Sequence, residues 1–331
     1  MSAAVAFPVI REQLLDRRQR LETARVGLTQ NADLARLLGE VDAALQRMDA
    51  GTYGMCEACY DPIESDRLLA DPLVRFCLGD LTVAQQTALQ EDLDLAAHIQ
   101  RGLLPTEHFQ VDGWEACFHY EAAGPVSGDY CDLIKGEDGS LYFIFGDVSG
   151  KGIAASMLMA HLHAMFHTLV SVGMPLKSMV ERASRVFCES TLPTHFATLV
   201  CGRADISGQV EICNAGHLPP LLVRKGDVTR IESNGLPVGV FCDETFTATK
   251  LSLSAGDTLF LYTDGLSETV GDDGSEYGLT RLSSLVSRSY SDAPKAVIQS
   301  CLADLTAFRA GATKADDLTM MAIRRNGLVA H

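Results

Sequence analysis

Three aspartates stand at glycine-flanked breaks between apolar, strand-like runs: Asp129 in "GPVSGDYCD", Asp147 in "FIFGDVSGKG" and Asp264 in "LFLYTDGLSE". Asp316 and Asp317 stand in "KADDLTMMAI", just before another such run. A single Asp-Gly pair is most often a turn. Several acids at strand ends in one region ask for more. In an antiparallel sheet the end of one strand adjoins the start of its neighbour, so these carboxylates are expected to meet at one edge. Glycine beside the first three permits close backbone approach. Hard carboxylate oxygens with no cysteine or histidine among them suit Mg²⁺ or Mn²⁺.

Other chemistry for "FIFGDVSGKG" fails on spacing. A phosphate-gripping loop of the form G-x-x-x-x-G-K-[ST] needs four residues between its glycines, and Gly146 and Gly150 have three between them. It also needs a hydroxyl after the lysine, and Lys151 is followed by Gly152. No G-x-G-x-x-G dinucleotide fingerprint is present. Lys151 reads as a surface lysine at a helix start, or as a phosphate partner if its side chain turns toward the acids. His163 and His167 have ligand spacing on one helix face, but without an HExxH pattern they read as satisfied helical histidines. "NAGHLP" could bring His217 near these acids, and otherwise reads as a structural turn.

A second constellation is thiol-based. Cys56 and Cys59 form a C-x₂-C knuckle, followed by Cys77 and then Asp80. A cysteine at position 80 would complete a four-thiolate ribbon site. With Asp80 the set is three thiolates and a carboxylate, which zinc accepts. The alternative is a degenerate ribbon that keeps its fold without metal.

These residues need elements to position them. Residues 9–49 have apolar residues at helical spacing, Leu14, Leu21, Ala24 and Leu28 and then Leu34, Leu38, Val41, Leu45 and Met48, with a break expected near Gly27 and Asn31. Residues 82–104 form a second helical run, with Gln100 filling one position of its apolar stripe and Pro105 as the stop. Helices are also expected at 153–172, 176–190, 279–289 and 295–309. "SLYFIFG", "FATLVCG", "GQVEICN", "PPLLV", "DTLFLY" and "DLTMMAI" read as strands. Strands arrive in pairs and helices in pairs, which points to an α+β fold with antiparallel sheets flanked by helices.

Bulk properties exclude some classes. The net charge is −16, with seven basic and seven acidic residues in 1–50, three and ten in 51–110, and 17 and 26 in 111–331. No segment has the basic excess that direct nucleic-acid binding requires. Most of the ten cysteines, among them Cys188, Cys201, Cys213 and Cys301, sit singly in apolar runs and read as reduced core thiols. The N-terminus lacks a secretory signal, and the apolar stretch 153–174 contains three histidines, so it reads as a buried helix and not a membrane span. A reducing cytoplasm is the expected compartment.

Two resemblances add to this. "ALQRMDAGTYGMCEACYDPIESDRLLADPLVRFC" resembles the C-terminal zinc finger of the DksA/TraR family, over roughly residues 33–80. The D-x-x-D-x-A motif that this family uses on RNA polymerase is absent from residues 1–50, so the finger is expected to regulate or dimerise. "PVSGDYCDLI", "FGDVSGKGIAASMLMA", "CNAGHLPPLLV", "GLPVGV", "LYTDGLSET" and "ADDLTMMAI" resemble, in order, the SpoIIE/RsbU-type serine phosphatases of the PPM (type 2C) family. That resemblance implies an α-β-β-α sandwich with two Mn²⁺ or Mg²⁺ ions at one end. By motif, Asp147 would bridge both ions and the Val148 carbonyl would add a ligand. Asp264 and Asp316 would hold the other ion, with Asp317 as the adjacent carboxylate, and Asp129 would act directly or through water.

The implied organisation is a helical region with a zinc-ribbon-like finger at 1–80, a linker helix at 81–105 and a phosphatase domain at 106–331. The implied activity is hydrolysis of phosphoserine or phosphothreonine on a regulatory protein, a STAS-domain anti-sigma-factor antagonist by family. A homodimer through the N-terminal helices is expected, with no membrane partner. The competing reading is a non-catalytic regulatory module acting on a transcription complex through the finger.

Overall fold

Along residues 141–145, Leu141, Phe143 and Phe145 point to one side of a strand and Tyr142 and Ile144 to the other, and all five are buried. A strand apolar on both faces must be covered on both faces. The computed structural model, which describes residues 10–19, 21–22, 32–80, 83–272, 274–310, 314 and 316–327, shows the two covers. Leu141, Phe143 and Phe145 join a core with Trp114, Phe118, Leu259, Leu261, Met321 and Ile323, which lies between two sheets. Tyr142 and Ile144 join a second core with Met159, Leu162, Phe166 and Phe187 from helices.

The chain divides into two compact units, residues 1–94 and 95–331. In the second unit both sheets are antiparallel. One has the order β1 (His108–Val111), β2 (Trp114–Glu121), β11 (Leu318–Arg325), β10 (Thr258–Tyr262), β7 (Leu221–Arg224), β8 (Asp227–Arg230). The other has the order β3 (Asp129–Lys135), β4 (Leu141–Val148), β5 (Ala197–Ala204), β6 (Gln209–Ala215), β9 (Thr249–Ser252). Helices Gly152–Ser171 and Leu176–Ser190 cover the second sheet, and Gly278–Arg288 and Pro294–Arg309 cover the first. This is an α-β-β-α sandwich, the α+β class expected. The expected strand set omitted β1, β2, β3, β8 and β9. β1, β8 and β9 have only four residues each, and the start of β3 was concealed by the glycine-rich "GPVSG" before it.

Helix Gly152–Ser171 is long and apolar enough to cross a membrane by length and composition alone. Here its Ala155, Met159, Leu162, Phe166 and Val170 are buried, as a core helix requires. Cys188, expected as a reduced thiol, is instead joined to Cys242 in a disulfide with a Cα–Cα distance of 5.3 Å. Helix Leu176–Ser190 carries Cys188, and the chain between β8 and β9 returns Cys242 beside it, a proximity no local pattern announces. Cys201, Cys213 and Cys301 are buried thiols, as expected.

In the first unit, residues 10–19 and Ala32–Asp49 are helical. The expected break at Gly27 and Asn31, with Ala24 and Leu28, lies outside the described residues. Ile10, Leu14, Val41, Ala44 and Leu45 pack with Tyr53, Cys56, Ile63, Leu68 and Cys77 in one core. Helix Val83–Leu103 follows and ends just before Leu104 and Pro105.

Candidate functional site

Asp129, at a glycine-flanked break in the sequence, is the first residue of β3 and lies directly opposite Asp147 near the end of β4. The same relation holds in the other sheet. Tyr262 ends β10 opposite Met320 of β11, so Asp264 leaves the end of one strand beside Asp316 at the approach to its neighbour. The two pairs face each other across the sandwich. Thr263 Oγ1 donates to Asp129 Oδ2 at 3.1 Å, and the Thr319 hydroxyl donates to the same oxygen. Asp317 accepts from the backbone N–H of Ala123 at 2.6 Å and of Gly128 at 3.2 Å, so both its oxygens hold the loop before β3.

Two glycines make this convergence possible. A Cβ on Gly265 would stand 1.8 Å from the carbonyl oxygen of Asp317. A Cβ on Gly128 would meet the Val148 carbonyl oxygen at 3.0 Å and Asp147 Oδ1 at 3.1 Å. The Asp147 carboxylate and the Val148 carbonyl, the two ligands expected of this loop, therefore approach one small space beside Gly128.

The electrostatics follow from crowding. Burial, followed by the carboxylates of Asp264, Asp317 and Asp316, pushes Asp147 up to about 7. Asp129 is 1% exposed, and burial together with Asp147 raises it well above the usual carboxylate range. Burial and Asp316 raise Asp264. Lys151 donates to Asp316 Oδ1 at 2.9 Å, so its side chain does turn toward the acids, and this bond raises its own pKa. The lysine is largely exposed and meets Asp316 at the rim. Asp129, Asp147 and Asp264, with raised proton affinity, make a site that binds protons when it has no cation, and binds a hard cation in exchange for them.

Several supporting residues were not anticipated. Thr263 and Thr319 are fully buried and hold Asp129. Thr198 lies opposite Asp147 on β5 and shares a hydrogen bond of 2.9 Å with His217 Nδ1. His217 Nε2 lies 3.2 Å from the Tyr262 carbonyl in the other sheet. Burial lowers the His217 pKa to about 4, so it is a neutral tie between sheets, in keeping with the structural role expected for "NAGHLP". Glu268 bonds through its N–H to the Asp264 carbonyl at 2.7 Å, and burial and Asp264 raise its carboxyl. Single threonines in strands give no sequence signal, and Glu268 in "TDGLSE" is legible only as an acid close to Asp264.

The thiol cluster is also assembled. The sulfurs of Cys56, Cys59 and Cys77 lie within 4.8 Å of one another, with Cys59 and Cys77 at 3.6 Å. Tetrahedral zinc with sulfur at about 2.3 Å sets its ligands roughly 3.8 Å apart. Asp80 ends a short 3₁₀ turn at Leu78–Asp80, and its side chain lies outside the described residues.

Residues 137–326 match the family described as Stage II sporulation protein E (SpoIIE). The chain belongs to the SpoIIE family. It is 30% identical over 184 residues to "Phosphoserine phosphatase RsbP" of Bacillus subtilis (strain 168), covering 54% of this chain and 45% of that protein. The RsbU and RsbW domains of Rv1364c from Mycobacterium tuberculosis share 26% identity and superpose with a TM-score of 0.58, over 69% of this chain and 63% of that one. The SiaA-PP2C domain of Pseudomonas aeruginosa shares the fold at a TM-score of 0.63 and 20% identity, over 73% of this chain and 99% of that domain. The SpoIIE-family region thus has the PP2C-type sandwich. The chain spans about half the length of the curated relatives it matches.

Proposed function

We propose that this SpoIIE-family chain is a metal-dependent protein serine/threonine phosphatase. The observation that carries the reading is Asp147, opposite Asp129 and raised to about 7 by burial and by acids of the other sheet. The donor set fits Mn²⁺ or Mg²⁺: it is all oxygen, it is charged, and its acids hold protons that a cation can displace. Asp147, the Val148 carbonyl, Asp264 and Asp316 would hold two ions, with Asp129 acting directly or through water and Asp317 fixing the loop before β3. When bound, such a pair supplies a hydroxide near neutral pH and offsets charge on the phosphoryl oxygens. The chain's own part is to keep the carboxylates converged. Thr263 and Thr319 orient Asp129, His217 ties the sheets behind Asp147, and Gly128 leaves room beside it.

The substrate is proposed to be a phosphoserine or phosphothreonine of a regulatory protein, with a STAS-domain antagonist as the first candidate. The name of RsbP, a phosphoserine phosphatase, supports the residue type. The Cys56, Cys59 and Cys77 cluster would hold zinc in a DksA/TraR-like finger. Leu95 and Ile99, exposed four residues apart on helix Val83–Leu103, favour pairing of two copies through that helix. The test is hydrolysis of p-nitrophenyl phosphate, and then of phosphorylated STAS protein, with Mn²⁺. Turnover by wild type and none by Asp147→Asn is expected. Equal turnover by the two proteins, or no metal-dependent turnover by wild type, would end the reading.

A further inference from the structure

His163 and His167 do not face solvent idly. They point from helix Gly152–Ser171 onto Asp132 of β3, and the three candidate ligand atoms lie within 4.8 Å of one another. His167 Nε2 is 2.8 Å and His163 Nδ1 is 3.2 Å from the same oxygen, Asp132 Oδ2. The two imidazole centroids are 4.1 Å apart. Asp132 is three residues beyond Asp129 and so projects from the opposite face of the strand. Its face is the helix-covered one, shared with Tyr130 and Ile144, whereas Cys131 and Leu133 face the space between the sheets.

Hydrogen bonding alone does not satisfy this cluster. Asp132 Oδ1 accepts from the Leu133 N–H at 2.9 Å. Asp132 Oδ2 accepts from the Tyr130 hydroxyl at 3.0 Å and is bonded to His167 at 2.8 Å. That leaves His163 Nδ1 buried with its 3.2 Å approach to Oδ2 but no hydrogen bond among the described residues. An unsatisfied buried polar atom is costly, and native structures rarely keep one without a use.

We propose that Asp132, His163 and His167 form a binding site for a divalent transition-metal ion, with Zn²⁺ the cation its donors suit best. Two imidazoles and one carboxylate are borderline donors, unlike the all-oxygen acid cluster between the sheets. Ligand bonds of about 2.0–2.2 Å place tetrahedral ligand atoms roughly 3.3 Å apart, and the two observed spacings to Asp132 Oδ2 need only small side-chain rotations to reach this. The Tyr130 hydroxyl serves as the outer partner that orients the carboxylate. His167 is half exposed and opens a path for the ion and for a water in the fourth position. The ion would staple the helix that follows the Asp147 loop onto the strand that begins at Asp129. The site stands independently of the phosphatase reading.

The full-length protein is saturated with Zn²⁺ in excess Mg²⁺, freed of loose metal, checked for fold by circular dichroism, and its zinc content measured. His163→Ala and His167→Gln are each expected to hold one zinc per chain less than wild type, and Cys77→Ser not to remove that ion. Tyr130→Phe is expected to weaken zinc binding at this site roughly 10–100-fold. His167→Gln lies at a half-exposed helical position and keeps the fold testable if His163→Ala does not fold. Retention of the wild-type zinc content by folded His167→Gln would overturn the proposal, as would a wild type whose zinc is all lost in Cys77→Ser.

Discussion

Gln100 and Ser127 hold each other through both ends of the glutamine amide. Gln100 Nε2 donates to the Ser127 carbonyl at 2.7 Å, and the Ser127 N–H donates to Gln100 Oε1 at 3.0 Å. The pair is buried, and the Ser127 hydroxyl in turn accepts from the N–H of Asp129 at 3.0 Å. A residue of helix Val83–Leu103 therefore sets the backbone two residues before a candidate catalytic acid.

Gln100→Ala should leave the Ser127 amide and carbonyl buried and unpaired, at roughly 1–3 kcal/mol for each group. The expected outcome is a lower melting temperature and a higher Mn²⁺ concentration for half-maximal turnover. A variant with unchanged metal dependence would show that the helix does not reach the site through this bond.

The glutamine was visible in the sequence as the polar member of an otherwise apolar stripe, but its partner was not, since nothing local relates position 100 to position 127. The acids were legible because strand ends and glycines mark them from both sides. The strand that Asp129 begins is concealed, because "GPVSGDYCD" has the composition of a turn while its second half pairs with β4. The threonines that hold Asp129 were silent: a buried Thr263 after a strand looks like any strand threonine. The His163 and His167 spacing is legible, yet their shared partner Asp132 lies 35 residues from His167 and only the fold supplies it.

Asp147 gives a pH dependence with a definite sign. Its folded pKa, about 7, lies above the ordinary value of 3.8, so the metal-free folded state binds the proton more tightly than the unfolded state. Its contribution to stability is therefore complete below the unfolded value and is lost as pH rises toward about 7. That difference corresponds to at most roughly 4 kcal/mol. Urea unfolding in EDTA at pH 5, 6, 7 and 8 should show stability falling, with a flatter course for Asp147→Asn. Added Mn²⁺ should restore the wild type at pH 8 and act less on the variant.

Lys151 competes with any cation for Asp316. Its ion pair is mostly exposed, and such pairs are worth about 0–1 kcal/mol. Lys151→Met should lower the half-saturating Mn²⁺ concentration by no more than roughly fivefold, the equivalent of that energy. A large drop in kcat with no change in metal dependence would instead assign the lysine to the phosphate.

The Cys188–Cys242 disulfide closes a span of 54 residues between helix Leu176–Ser190 and the segment before β9. Loop-closure entropy sets its contribution at up to roughly 4 kcal/mol, by restricting the unfolded chain. For a unit of this size that corresponds to a fall in melting temperature of about 10 °C on reduction. Cys242→Ser should melt near the reduced wild type and show no further response to dithiothreitol. Neither cysteine touches the acid cluster's hydrogen-bond network as described, so Mn²⁺-dependent turnover below the melting transition should survive reduction. A wild type whose melting is indifferent to reductant would mean that the thiols, once close, add nothing by bonding, and that packing of the helix on its sheet already holds the segment.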